Sequence, residues 1–178
     1  MSNPVLNAIY KRRSCREFLD KDVSDDLILT ILDAGRWAPS GKNLQPWKFI
    51  VVRDKNTKNR LAKLTIYGNI IKNAPVVIAV FLDTNISYDR VKDIQAIGAC
   101  IQNMLLATFS LGLGGVWIGE ILKNKEKVNN VLEAPKFLEL MAVLAIGYPI
   151  AKERVSTRKP LSKIAYCQRY GKPIEGSK

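Results

Sequence analysis

At 178 residues, 47% of them apolar, the chain is sized for one domain whose core needs no disulfide or metal to hold it. Its 28 Lys and Arg against 16 Asp and Glu give a net charge of +12, which favours anionic company: nucleic acid, an acidic membrane surface or a phosphorylated ligand. There is no histidine, which excludes Ser-His-Asp and Cys-His catalysis, HExxH zinc chemistry and an imidazole acid/base near pH 7, so an enzyme made from this chain borrows its chemistry from a cofactor.

Pro4 suits the first turn of a helix running to about Arg13. Ser24, followed by Asp25 and Asp26, reads as the N-cap of a second helix, with Leu27, Ile28, Ile31, Leu32 and Gly35 at helical spacing to about Trp37. Ala38–Pro46 is the clearest loop. Trp47–Val52 and Val76–Leu82 predict strands, the second apolar throughout as though covered on both faces, with a short helix around Thr57–Leu64 between them. Asp89–Leu111 contains no proline and predicts a long helix with a stripe through Ile94, Ile97, Gly98, Ile101, Leu105 and Thr108. Such a helix is either the spine of the core or a subunit interface. Gly114–Gly119 predicts a short strand, Lys125–Leu132 a helix and Leu138–Ile146 a buried strand. From Ala151 onward the chain is basic and turn-rich, an arm on a single domain spanning residues 1–178. The class is α+β, helices covering a small sheet whose strand order the sequence does not specify.

Cys15, Cys100 and Cys167 are odd in number and far apart, forming neither a CxxC nor a complete disulfide set. With no apolar N-terminal segment and no apolar run near ~18 residues, a soluble cytoplasmic protein with no membrane partner is expected.

Four stretches are candidates for chemistry. Lys11-Arg12-Arg13-Ser14-Cys15-Arg16 offers arginine forks and a hydroxyl to phosphate oxygens. The same cations also suit a helix C-terminus with no ligand at all. Pro39-Ser40-Gly41-Lys42-Asn43 could let backbone approach a flat ligand, or could be ordinary turn chemistry. Gly112–Gly119 follows a helix and leads into a strand, so it is no dinucleotide fingerprint, and its glycines read more simply as tight packing. Arg158-Lys159-Pro160-Leu161 reads in isolation as solvated surface.

Taken in order, RRSCREF, PSGKNLQPW, the long helix with QNMLL, GLGGVWIG, AIGYP and RKPL resemble the nitroreductase family of FMN-dependent oxidoreductases over nearly the whole chain. The resemblance implies a central, mainly antiparallel sheet flanked by helices, in an intertwined homodimer with two FMN sites at the subunit interface. Arg12, Ser14 and Arg16 match the family's N-terminal FMN motif, with Arg13 contributing through its backbone. Pro39, Ser40, Gly41 and Asn43 match a loop lent by the partner subunit. Ile118 and Gly119 match the segment beside flavin N5, and Arg158 an arginine that closes over the phosphate. Gly41 stands where many members carry a second serine, and Ser156 where some longer members carry lysine. No residue before Ala74 is assignable to the pyrimidine ring.

The implied activity is transfer of a hydride from NADH or NADPH through flavin N5 to a small electron acceptor, a nitroaromatic or quinone, by ping-pong kinetics. It requires no catalytic side chain and no metal. Alternatives on the same fold are dehalogenation, enone reduction, dehydrogenation and flavin fragmentation. Cys15 could instead be a redox-sensing thiol. From a different class, a basic nucleic-acid-binding module would need aromatics among its cations, whereas Trp37, Trp47 and Trp117 lie in apolar contexts, so no nucleic-acid partner is expected.

Overall fold

Asn3 opens the first helix, α1 (Pro4–Lys11): its side-chain oxygen accepts from Val5 N and Leu6 N at 2.9 and 3.2 Å. The helix ends at Lys11 instead of about Arg13, because Arg12 turns to extended backbone (φ −55°, ψ 131°). From there the chain runs beside a strand, with Ser14 bridging Gly115 in parallel and Cys15 N donating to Gly115 O at 3.0 Å. The computed structural model describes residues 3–150 and 155–176; positions 151–154, which open the basic arm, lie outside the described residues.

Helix α2 (Asp25–Arg36) carries Asp25 and Asp26 in its first turn, where the helix dipole favours anions, while the Ser24 hydroxyl makes no cap bond. It packs on α5 (Arg90–Ser110), a 21-residue helix about 32 Å long. A Cβ at Gly35 would lie 2.7 Å from Met104 Cγ, so the glycine lets these two helices approach. The buried side of α5 includes Asp93, Ile97, Cys100, Ile101 and Met104. Ile94 and Gly98, expected in the same stripe, face outward: Ile94 is exposed, and a Cβ at Gly98 would meet nothing within 4 Å. Of the six, Ile97, Ile101, Leu105 and Thr108 are buried as expected, while Ile94 and Gly98 lie off the buried face, which also takes Ala96, Cys100 and Met104.

Four strands, β1 (Trp47–Val52), β2 (Val76–Asp83), β3 (Gly114–Ile118) and β4 (Leu138–Gly147), form one sheet in the order β1-β2-β4-β3, antiparallel throughout. Every residue of β2 is buried. Ile78, Val80 and Leu82 join the layer with α2 and α5, while Val77, Ala79 and Phe81 face the opposite layer. That second layer is built on α3 (Lys55–Ala62), α4 (Gly68–Asn73) and α6 (Lys125–Leu132). A bulge opposite Val80/Phe81 makes Met141 the extra residue of β4, so Leu138 and Leu140 before it share a face with Val143 and Ala145 after it. The short α4 is absent from the sequence reading because six residues show less than two turns of periodicity. Among the described residues, no helix is long and apolar enough to cross a membrane.

Ile101 is fully buried where α5 meets the sheet layer. Ile101→Val is expected to cost about 0.5–1.5 kcal/mol and Ile101→Ala about 2–5 kcal/mol, read as a fall in the urea unfolding midpoint.

Candidate functional site

The N-terminal motif and the C-terminal arm meet. Arg12, Arg13, Ser14 and Arg16 line an open cleft of about 470 Å3 together with Val155, Ser156 and Arg158, and no acid lines it among the described residues. Nor, among the described residues, does any salt bridge there join these arginines to a carboxylate. Burial, and the charges of Arg13 and Arg158, lower the Arg12 pKa from its ordinary value. Like charges gathered this closely are waiting for an anion of high charge.

Backbone contacts build the cleft. A Cβ at Gly114 would lie 2.6 Å from Cys15 Cβ and 2.8 Å from its sulfur, so a glycine there is what lets the motif lie flat on β3. The pairing continues as Leu19 N donates to Tyr148 O at 2.8 Å and Ile150 N to Glu17 O at 3.2 Å. Arg13 divides the two readings of the motif. Its guanidinium donates to Tyr10 O (2.6 Å) and Arg12 O (2.9 Å), closing the end of α1, while its buried Nε has no partner. Arg12 caps α1 through its backbone, its N–H donating to Ala8 O at 2.9 Å, while its side chain and that of Arg16 line the cleft. Ser156 accepts a short hydrogen bond from Arg158, whose guanidinium also reaches Thr157 O at 2.8 Å. Ser156 therefore orients the arginine of the arm.

The other expected site residues do not line this cleft. Pro39, Ser40, Gly41 and Asn43 sit in a separate loop, where Ser40 Oγ accepts from Gln45 N at 3.0 Å. Lys42, Asn43 and Gln45 all have left-handed φ (53°, 55° and 52°), at a cost of about 1–2 kcal/mol each for a residue with a side chain. Ile118 is buried at the end of β3, and Gly119 follows it with only Trp117 Nε1 within reach, 4.0 Å from where a Cβ would stand. A larger cavity of about 620 Å3 beside α6, lined by Asn129, Lys136 and Glu139 among others, holds none of the expected residues.

Sequence reasoning missed Glu120. Its carboxylate accepts from Thr65 Oγ1 at 2.5 Å and Ile66 N at 3.1 Å and pairs with Lys123, tying the 65–67 segment beside Gly119. A single glutamate joining residues 54 and 55 positions away leaves no local pattern. Lys123, then Thr65, hold its pKa below the usual glutamate value. The clamp is thus complete above the unfolded pKa, near 4.3, and is lost as pH falls through the lower folded value. In an NMR titration the Ile66 amide shift is expected to report a midpoint below about 4.3, with no such titration in Glu120→Gln; a midpoint at or above the ordinary value contradicts the clamp.

Comparison with known proteins agrees with this geometry. The model of the Nitroreductase family matches residues 9–70 and 64–148. A provisionally named nitroreductase of Desulfovibrio desulfuricans, solved in complex with FMN, superposes with a TM-score of 0.90 at 44% identity, covering 96% of this chain and 99% of that one. A provisionally named NADH dehydrogenase/NAD(P)H nitroreductase of Methanothermobacter thermautotrophicus is 37% identical over 147 residues, 82% of this chain and 77% of the relative. The FMN reductase [NAD(P)H] of Bacillus subtilis is 27% identical over 186 residues, 94% of this chain and 75% of the relative. With its helix-flanked antiparallel sheet and its cation cleft laid along β3, the chain belongs to the nitroreductase family.

Proposed function

We propose that the protein is an FMN-dependent oxidoreductase that uses NADH or NADPH to reduce a small electron acceptor. The observation that carries this reading is the cleft that gathers Arg12, Arg13, Ser14, Arg16 and Arg158 with no acid among the described residues that line it. Its charge suits the dianionic phosphate of FMN. When bound, FMN supplies the redox chemistry, taking two electrons from the nicotinamide and passing them to an acceptor such as a nitroaromatic or a quinone.

The chain's own residues bind and orient. Arg12 and Arg16 hold the phosphate from the segment pinned on β3, and Arg158, steadied by Ser156, closes from the arm. Gly119, with no side chain of its own and following the buried Ile118 at the end of β3, would offer its backbone N–H to stabilise charge on the reduced flavin. None of these groups is a general acid, so the substrate proton comes from water. Donor and acceptor occupy one open face in turn, which gives ping-pong kinetics.

Pro39, Ser40, Gly41 and Asn43 complete the site from a second copy of the chain. A homodimer accounts for their place outside the arginine cleft of their own chain. It also accounts for an apolar groove of about 430 Å3 between α1, α2 and α5, with Val5, Trp37 and Leu106 on its walls. A cytoplasmic setting fits the thiols: Cys15 and Cys100 are buried, and burial pushes the Cys100 pKa up to about 12.

The purified protein is expected to show a flavin absorption spectrum that bleaches anaerobically with NADH or NADPH; no flavin even after reconstitution with FMN would return the basic surface to nucleic acid. Arg12→Ala/Arg16→Ala is expected to lose the flavin while its circular dichroism stays that of the folded chain. Light scattering should report about 40 kDa, twice the 20.0 kDa chain. A monomer retaining FMN would contradict the shared site.

A further inference from the structure

Gly119 is exposed, with no side chain of its own to steady it. From behind it is held by β3, whose last residue, Ile118, is buried. From ahead it is held by the short 3₁₀ turn Glu120–Asn124, in which Leu122 N donates to Gly119 O at 3.1 Å. A turn of that kind fixes little by itself, because its hydrogen bonds are poorer in geometry than those of an α-helix. Its position is set from outside.

Both ends of the turn are fastened to residues 64–66. At the first end the Glu120 carboxylate accepts from Thr65 Oγ1 (2.5 Å) and Ile66 N (3.1 Å) through Oε2, while Oε1 pairs with Lys123 of the same turn. At the last end Asn124 Nδ2 donates to Leu64 O at 2.9 Å. Between them Ile121 is fully buried in the layer that also takes Leu61 and Ile71. The residues on the other side are fixed in their turn. Thr65 Oγ1 accepts from Tyr67 N at 3.2 Å, and a Cβ at Gly68 would lie 2.2 Å from Ala62 O, so backbone presses on backbone where α3 gives way to α4. Each fastening ends on a main-chain atom of that segment, Ile66 N or Leu64 O, which no rotamer change can move away.

We propose that Glu120 is a positioning residue for the flavin: through its grip on Thr65 and Ile66 it fixes the turn that holds Gly119, and so keeps the Gly119 N–H aimed where charge gathers on the reduced ring. This rests on the reading that Gly119 faces FMN. Glu120 acts through Gly119 and touches no flavin atom itself. Oxidised FMN, held by its phosphate in the arginine cleft, depends little on the clamp. Reduced FMN carries added charge on the ring and depends on it more. The clamp therefore acts on the difference between the two forms, which is the reduction potential of the bound flavin.

The test is the midpoint potential of bound FMN, from anaerobic titration against a reference dye, beside the affinity for oxidised FMN from fluorescence quenching, at equal folded fraction by circular dichroism. Glu120→Ala is expected to change oxidised-FMN affinity by no more than about 2-fold and to weaken binding of the reduced form about 10-fold, the low end for a hydrogen bond to a charged group. For a two-electron couple that lowers the potential by about 30 mV. Glu120→Gln keeps an oxygen for Thr65 and Ile66 and is expected to stay close to wild type. A Glu120 that acted only by its charge through space would raise the potential in both variants. That outcome, or a wild-type potential in Glu120→Ala, overturns the proposal. In the flavin-free protein the Gly119 amide resonance should move in Glu120→Ala while that of Cys15 stays, and an unmoved Gly119 also overturns it. If Glu120→Ala does not fold, Thr65→Val, which keeps the carboxylate and removes one of its donors, decides by itself: a lowered potential supports the role and a wild-type one ends it. Arg12→Ala/Arg16→Ala in the same affinity measurement separates the two levels. Unchanged affinity there sinks the FMN site as a whole, whereas its loss beside a wild-type potential in Glu120→Ala sinks only the role of Glu120.

Discussion

Arg12, Arg13 and Arg158 repel one another across a cleft that no described acid enters, and that repulsion is what the surrounding structure has to contain. Containment is mechanical before it is chemical. The motif cannot drift from β3 while Cys15 fills the space beside Gly114 and the backbone from Cys15 to Leu19 pairs with Gly115 of β3 and with Tyr148 and Ile150 just after β4. These strands are rigid in turn because β4 and β2 are buried on both faces between α2/α5 on one side and α3/α4/α6 on the other. A close-packed apolar sandwich provides a frame against which like charges can be held close.

The frame is the part most open to reading from residues. The doubly buried β2 announces itself by eight successive apolar or acidic-ended positions, and α6 and β1 fall where their periodicity and β-branched content place them. The phase of α5 is less legible. Its apolar residues extend past the buried face, and tertiary packing rather than hydropathy separates Ile97 and Ile101 inside from Ile94 outside. Helix α1 stops early because strand-edge pairing at Ser14 and Cys15 outweighs continued helix, a competition no local window contains.

Of the site, the residues on short motifs are legible and those acting across the fold are not. The resemblance brings Arg12, Ser14, Arg16 and Arg158 to one place, and the cleft collects all four. It also flags Gly41 as a departure, and a Cβ there would lie 2.1 Å from the hydroxyl oxygen of Tyr88, a residue more than forty positions away. Glu120 is silent for the same reason, its partners being Thr65 and Ile66. Arg13 shows how two readings of one charge cluster can each hold, since it closes a helix while its neighbours face the cleft.

The separation of the 39–43 loop from the arginine cleft of the same chain has a consequence for how such a protein is filled. A ligand that touches two copies at once draws them together by mass action, with a stabilisation that grows as RT ln(1 + [L]/Kd). In the shared site proposed above, cofactor loading and subunit association would be one coupled equilibrium. Dilution would empty the sites as well as part the subunits, and a scarcity of flavin would loosen the assembly before it unfolded any single chain.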